Sequence, residues 1–258
     1  MPLPTSTSLF SRTADVAALR ARLAPIPYVS VDAMSDDELW ANLVAAEAEA
    51  SRALRVLFEP TVVIPEDAPQ SEIDALVASN TKFMQESPYD YDPSDWTMDV
   101  WGFILLRQKP VISVDSMKFT YPTPASDVLI VPSNWIRLDK KYGHLRVVPT
   151  GTLMGMGPLS SYLLQAMSSG RIIPNMVHIR YTAGLSNVAE DWPDLVSLVK
   201  RMASMKILKQ AFVPQSGSIS ADGLSQSSSL DLEKMQDAID KDLNDLRDSI
   251  HGVRLGVF

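Results

Sequence analysis

The densest group of side chains able to do chemistry is Asp90-Tyr91-Asp92-Pro93-Ser94-Asp95, with Asp99 close behind. Carboxylates at such spacing can converge on a hard cation such as Ca²⁺. The run lacks the glycine and the distal bidentate glutamate that complete a calcium loop, and Asp, Pro and Ser are also what a surface turn is made of. A plain loop is the expectation, with a carboxylate site over Asp90–Asp99 as the enzymatic alternative. The three histidines, His144, His178 and His251, fall on separate segments. His178 belongs to the polar face of an alternating strand, His144 follows a turn, and His251 closes a helix, where the dipole favours positive charge. With no cysteine in the chain, thiolate nucleophiles, disulfides and Cys-ligated zinc are excluded. No Gly-x-Ser-x-Gly elbow, phosphate loop or His-Glu-x-x-His pair occurs. Gly155-Met156-Gly157 runs into Pro158 and reads as a bend. No catalytic, cofactor-binding or metal-ligating residue is assigned.

The elements around these residues read as helix, then strand, then helix. Residues 1–30 form an arm rich in Pro, Ser and Thr, with a short helix over Ala14–Leu23 stopped by Pro25 and Pro27. Ser35-Asp36-Asp37-Glu38 is a capping box. It opens a helix to about Leu57 whose stripe is Leu39, Leu43, Ala46, Ala50, Leu54 and Leu57. Thr61–Ile64 reads as a strand, Ser71–Ser79 as a short helix, and Ser87–Trp96 as a polar, aromatic loop. Strands follow at Gly102–Leu106, at Pro110–Val114 continuing through Met117 and Phe119, and at Val128–Val131. Trp135–Leu138 and His144–Val148 form a hairpin in which Gly143 supplies a positive φ. A short helix is expected over Pro158–Met167. Met176–Tyr181 alternates, with Val177, Ile179 and Tyr181 on one face and His178 and Arg180 on the other.

Asp191-Trp192-Pro193 opens a helix to about Phe212, and the Ser/Gly-rich stretch 214–229 is a connector. Asp231–Ile250 repeats apolar residues at spacings of three and four over about 30 Å. The two late helices carry opposite charge: Lys200, Arg201, Lys206 and Lys209 on one, and Asp237, Asp240, Asp242, Asp245 and Asp248 on the other. Two solvated faces are the ordinary reading; the alternative is that the difference steers the helices together, within or between subunits. The fold class is α+β, with N- and C-terminal helices around a small, mainly antiparallel β-sheet. One domain is expected over 31–258.

The chain has 258 residues, 46% of them hydrophobic and 21% charged, a balance that forms a core rather than a disordered chain. Its net charge of −8, with no Lys/Arg cluster longer than a pair, argues against a generic nucleic-acid binder. The start lacks the basic and apolar regions of a secretory signal, and no apolar run approaches the ~20 residues of a membrane span. Val253-Arg254-Leu255-Gly256-Val257-Phe258 gives an apolar end that either tucks onto its own core or fills a neighbour's groove.

Three stretches in this order resemble the head-to-tail connector, or adaptor, proteins of tailed bacteriophages. They are Ser35-Asp36-Asp37-Glu38-Leu39 leading into Leu43-Val44-Ala45-Ala46; Phe103-Ile104-Leu105-Leu106-Arg107-Gln108-Lys109-Pro110-Val111-Ile112-Ser113-Val114; and Ser220-Ala221-Asp222-Gly223-Leu224-Ser225 before the last helix. The resemblance implies a structural virion protein with no enzymatic role. It implies a homo-oligomeric ring, commonly a dodecamer, assembled in the host cytoplasm and placed in the neck of the virion. Its partners would be the portal and the next neck or tail protein, with DNA passing through without specific binding. Residues 120–185 would be an insert relative to smaller members. Val253, Arg254, Leu255, Val257 and Phe258 would form a portal-docking tail. A tail-completion or baseplate protein is the alternative within the same class.

Overall fold

The computed structural model of the chain describes residues 7–26, 31–96, 102–122, 125–148, 171–211 and 232–251. The expected helix at 158–167, the connector 214–229 and the tail 253–258 lie outside these. The fold is α+β, as expected. Contacts divide the chain into two compact units: Met1–Phe58 with Asn187–Ser249, and Glu59–Ser186 with Ile250–Phe258.

The first unit is helical. Helix α1 is Arg12–Leu23, and α2 is Asp36–Leu54, where the Ser35 hydroxyl accepts from the Glu38 amide at 3.2 Å. That bond satisfies one of the orphan amides at the helix start. Helix α2 ends at Arg55, which adopts a left-handed φ of 56°. Its stripe Leu39, Leu43, Ala46, Ala50 and Leu54 is buried, and so is Trp40.

The helices α4 (Val188–Asp191), α5 (Pro193–Ala211) and α6 (Leu232–His251) complete the helical elements after the sheet. Leu195, Leu198, Val199, Met202, Met205 and Leu208 of α5 are buried, the ordinary core use of that stripe. The charge difference between α5 and α6 is used in part. Arg201 pairs with Asp242, and Lys209 Nζ donates to Gln236 Oε1 at 2.8 Å. Lys200 turns to Asp15 of α1 and Lys206 to Glu49 of α2. The described part of the arm is fastened rather than free: the Thr7 hydroxyl and the Ser8 amide both donate to the buried Glu47 carboxylate.

The second unit holds two sheets. The larger runs β2 (Phe83–Glu86), β1 (Thr61–Pro65), β9 (Ile173–Ala183), β5 (Val111–Pro122) and β6 (Ala125–Ile130), and β3 (Tyr89–Tyr91) also pairs with β9. All its pairings are antiparallel except β1 with β2. Those two parallel strands are joined through helix α3, Gln70–Ala78, a βαβ unit that spacing alone did not announce. The smaller sheet is β4 (Ile104–Leu105), β8 (His144–Val147) and β7 (Ile136–Asp139). The β7–β8 hairpin is as expected, with Gly143 at φ 66°.

One core lies between the two sheets, built on Met117, Phe119, Val177, Ile179 and Tyr181 from one and Ile104, Leu145 and Val147 from the other. Residues 120–185, the expected insert, hold β6 to β9 and about half of this core. The expected loop Ser87–Trp96 is corrected: it holds β3 and a 3-10 turn at Pro93–Trp96. Tyr91 is buried against Phe119 and Trp96, with ring centroids 6.1 and 5.9 Å away. Trp96 itself lies against Gly102, where a Cβ would come within 2.3 Å of the indole.

A buried carboxylate joins this core to the loop before β5. Glu86 accepts from the Tyr89 hydroxyl at 2.7 Å and from the Tyr181 hydroxyl at 3.1 Å. Those hydroxyls accept in turn from the Arg107 and Gln108 amides at 3.1 and 3.2 Å. The Arg107 guanidinium sits 4.2 Å from the Tyr89 ring centre. Burial raises the Glu86 carboxyl above its ordinary value, against the hydrogen bonds of both tyrosines and the charge of Arg107. The Tyr91 hydroxyl, by contrast, is buried with no hydrogen-bond partner among the described residues.

Two predictions follow from this contrast. Tyr181→Phe orphans part of a buried network and should cost about 1–3 kcal/mol in urea unfolding, whereas Tyr91→Phe removes an unpaired hydroxyl and should cost nothing. Equal losses would contradict the assignment of the two roles. A carboxyl whose folded pKa is raised binds a proton in the native state that the unfolded chain has released, so its stabilising share is lost as pH rises. The stability of the native chain relative to Glu86→Gln should therefore fall as pH climbs from 4.5, the ordinary value, through the raised one. A difference that is flat or rising with pH would refute it.

Candidate functional site

The polar face of β9 lies opposite the core, and it opens on a cleft of about 360 Å³. Alternation turns His178 and Arg180 into it from β9, and Ser116, Lys118 and Thr120 from β5. Two register irregularities in β5, between Val111 and Ser113 and between Val114 and Ser116, set that phase. Asp127 comes from β6, Asp67 from the turn after β1, and Glu72 from α3.

His178 is not the solvated strand residue its pattern suggested; only 6% of it is exposed. Its Nε2 is 2.7 Å from Asp67 Oδ2, and its Nδ1 is 3.3 Å from the Met176 carbonyl. An ionised carboxylate can only accept, so Nε2 carries the hydrogen of the first contact. Arg180 Nη1 donates to Glu72 Oε1 at 2.6 Å, and its buried Nε lies 3.5 Å from Asp115 Oδ2 without a formed hydrogen bond. Lys118 Nζ is 3.2 Å from Asp127 Oδ1, which also accepts from the Thr120 hydroxyl at 2.8 Å. That hydroxyl first, then the charges of Lys118 and His178, hold the Asp127 carboxyl below its usual range.

Each cationic or basic group in the cleft thus faces a carboxylate from another element. The pairs fasten the β1–α3 turn, α3 and β6 onto the polar face of the sheet. Both ring nitrogens of His178 face acceptors, Asp67 and the Met176 carbonyl, so the imidazole is engaged by the fold on both sides. The partners of His178 and Arg180 stand 111 and 108 residues away in sequence, so no local spacing could have revealed them. The alternation of β9 was the one available signal.

The described carboxylates of the acidic loop are engaged locally. Asp90 Oδ1 accepts from the Asn175 amide at 2.9 Å, and Asp92 Oδ1 accepts from the Ser94 amide and hydroxyl at 2.9 and 2.7 Å. Those bonds lower the Asp92 carboxyl, while burial and the Asp92 charge raise Asp95. Asp99 lies outside the described residues. No group of three or more His, Cys, Asp or Glu side chains among the described residues is arranged to hold a metal. His144 and His251 sit on β8 and at the end of α6, on elements that contribute nothing to the cleft. Among the described residues, no helix is long and apolar enough to cross a membrane. No known family model matches the chain, and no curated protein matches it.

If the cleft's pairs are latches, Glu72→Gln and Arg180→Met should each destabilise the protein, and the double variant should lose less than their sum. A coupling of about 1 kcal/mol from urea midpoints is expected for this half-buried pair. Strict additivity would remove the latch.

Proposed function

We propose that this chain is a structural subunit of a tailed-phage neck, one copy of a ring between portal and tail through which DNA passes. The resemblance in the capped first helix, in Phe103–Val114 and in Ser220–Ser225 supports the reading. The observation that carries it is apolar surface on the edge of the larger sheet. Ile130, on the outer strand β6, is 67% exposed. Among the described residues β2, β3 and β6 each pair on one side only, leaving one backbone edge open. A large apolar side chain beside an open strand edge is what a head-to-tail subunit contact would cover, and such contacts close into rings when the rotation allows.

In this reading the chain does no chemistry, and the paired charges of the cleft serve stiffness. The ring, commonly a dodecamer, is built in the host cytoplasm and ends in the virion neck. It receives the portal on one side and the next neck or tail protein on the other. Residues Val253, Arg254, Leu255, Val257 and Phe258 are its portal-docking tail.

Negative-stain images and sedimentation of the purified chain, alone and mixed with a portal, test this directly. Rings are expected for the native chain, and Ile130→Asp should shift it to monomer without lowering its unfolding midpoint. Deletion of 253–258 should abolish portal binding and leave the fold intact. A chain that stays monomeric with and without a portal would overturn the ring. Co-purification with tail-tube proteins instead of a portal would move the assignment to a tail-completion or baseplate role.

A further inference from the structure

Several cations of this protein are matched to carboxylates: Arg12 with Asp37, Lys82 with Glu59, Arg180 with Glu72, Arg201 with Asp242. The hairpin 136–147 instead gathers cations without such partners on one small sheet. It carries Arg137, Lys140, Lys141 and Arg146 against one carboxylate, Asp139, and none of the four has an ion-pair partner among the described residues. Asp139 is engaged by its own turn, accepting from the Tyr142 amide at 3.2 Å. All four cations are exposed, in a chain whose net charge is −8.

Strand alternation decides what accompanies them. Ile104, Leu145 and Val147 turn into the core, so Leu105, His144, Arg146 and Arg137 share the outer face. Three rings are gathered there. Tyr142 stacks on His144 at 5.7 Å, Phe103 stands edge-on to His144 at 5.1 Å, and the Arg146 guanidinium lies 5.8 Å from the Phe103 ring centre. Tyr142 is 40% and Leu105 46% exposed. Unpaired cations beside preordered flat rings, with Tyr142 exposed and Phe103 partly so, suit a chain that is both polyanionic and aromatic. Phosphates would meet the lysines and arginines, and unstacked bases would lie on the Tyr142 and Phe103 planes. An acidic protein surface would use the cations and leave the rings idle.

We infer that the outer face of the small sheet binds single-stranded nucleic acid without sequence preference. The inference does not depend on the ring reading, since every group involved belongs to one hairpin and the strand beside it. Strand pairing, not adjacency in sequence, assembles the patch, which a search for Lys/Arg runs does not see: Arg137 is directly opposite Arg146.

Fluorescence anisotropy with labelled oligo-dT, a duplex of equal length and polyglutamate, over a salt series, tests it. The native chain should bind oligo-dT most tightly, with a slope of log K against log salt of up to about −3, as expected for at most four phosphate contacts on a single strand. Lys140→Ala should flatten that slope by about 0.7. Tyr142→Ala should weaken oligo-dT binding roughly 5- to 100-fold while leaving the slope unchanged. All these side chains are exposed, so unfolding midpoints should not move. No oligo-dT binding at low salt would overturn the inference. So would equal binding of polyglutamate with no effect of Tyr142→Ala, which would mark an acidic-protein surface instead.

Discussion

A strand hydrogen-bonded on both sides can offer its side chains only two directions, and β9 shows how much of this protein follows from that restriction. On one side it pairs with β1 and β3, on the other with β5. Its apolar residues Val177, Ile179 and Tyr181 face the core shared by the two sheets. Its polar residues His178 and Arg180 face the cleft. Shifting β9 by one residue would drive the imidazole and the guanidinium into the core and expose the apolar set. The register is fixed by the penalty for burying an unpaired charge as much as by the gain from apolar burial.

The two faces solve their polar problems differently. Inside, Glu86 accepts from the hydroxyls of Tyr89 and Tyr181, and each hydroxyl takes one backbone amide of the segment before β5. That network converts a costly buried carboxylate into a fixed point for a loop that has no ladder of its own. In the cleft, the pairs of Arg180 with Glu72 and of His178 with Asp67 are half open to water. They set the placement of α3 and its preceding turn more than they add to stability. The inner network is therefore the stiffer constraint, and the cleft records its consequence.

The elements legible in the sequence were those whose physics is local. Helices α2, α5 and α6 carry a cap or a repeated apolar spacing, and the β7–β8 hairpin carries a turn with Gly143. What escaped was set by distant contacts. Tyr89 and Tyr91 stand among Asp, Pro and Ser, so their composition reads as loop. Pairing with β9 nevertheless makes them a strand whose rings are core. The parallel pairing of β1 with β2 likewise depends on α3 crossing over the sheet, which four-residue apolar runs do not encode. His178 was visible as a strand residue, whereas no pattern singled out Asp67; their contact exists because the sheet closes between them.

Charge offers a further reading of the same kind. A net charge of −8 describes the chain as a whole and says nothing of where its cations go. In the helical unit and in the cleft several of them are spent on carboxylates that hold elements in place. On the β7–β8 hairpin they meet none, because Asp139 is taken by the turn and the strands on that face supply aromatic rings instead. An unpaired lysine on a stable hairpin contributes little to folding, and like charges paired directly across strands, as Arg137 and Arg146 are, weaken a sheet. The hairpin thus tolerates a like-charge pair across its strands and carries four cations that hold no neighbouring element in place by an ion pair among the described residues.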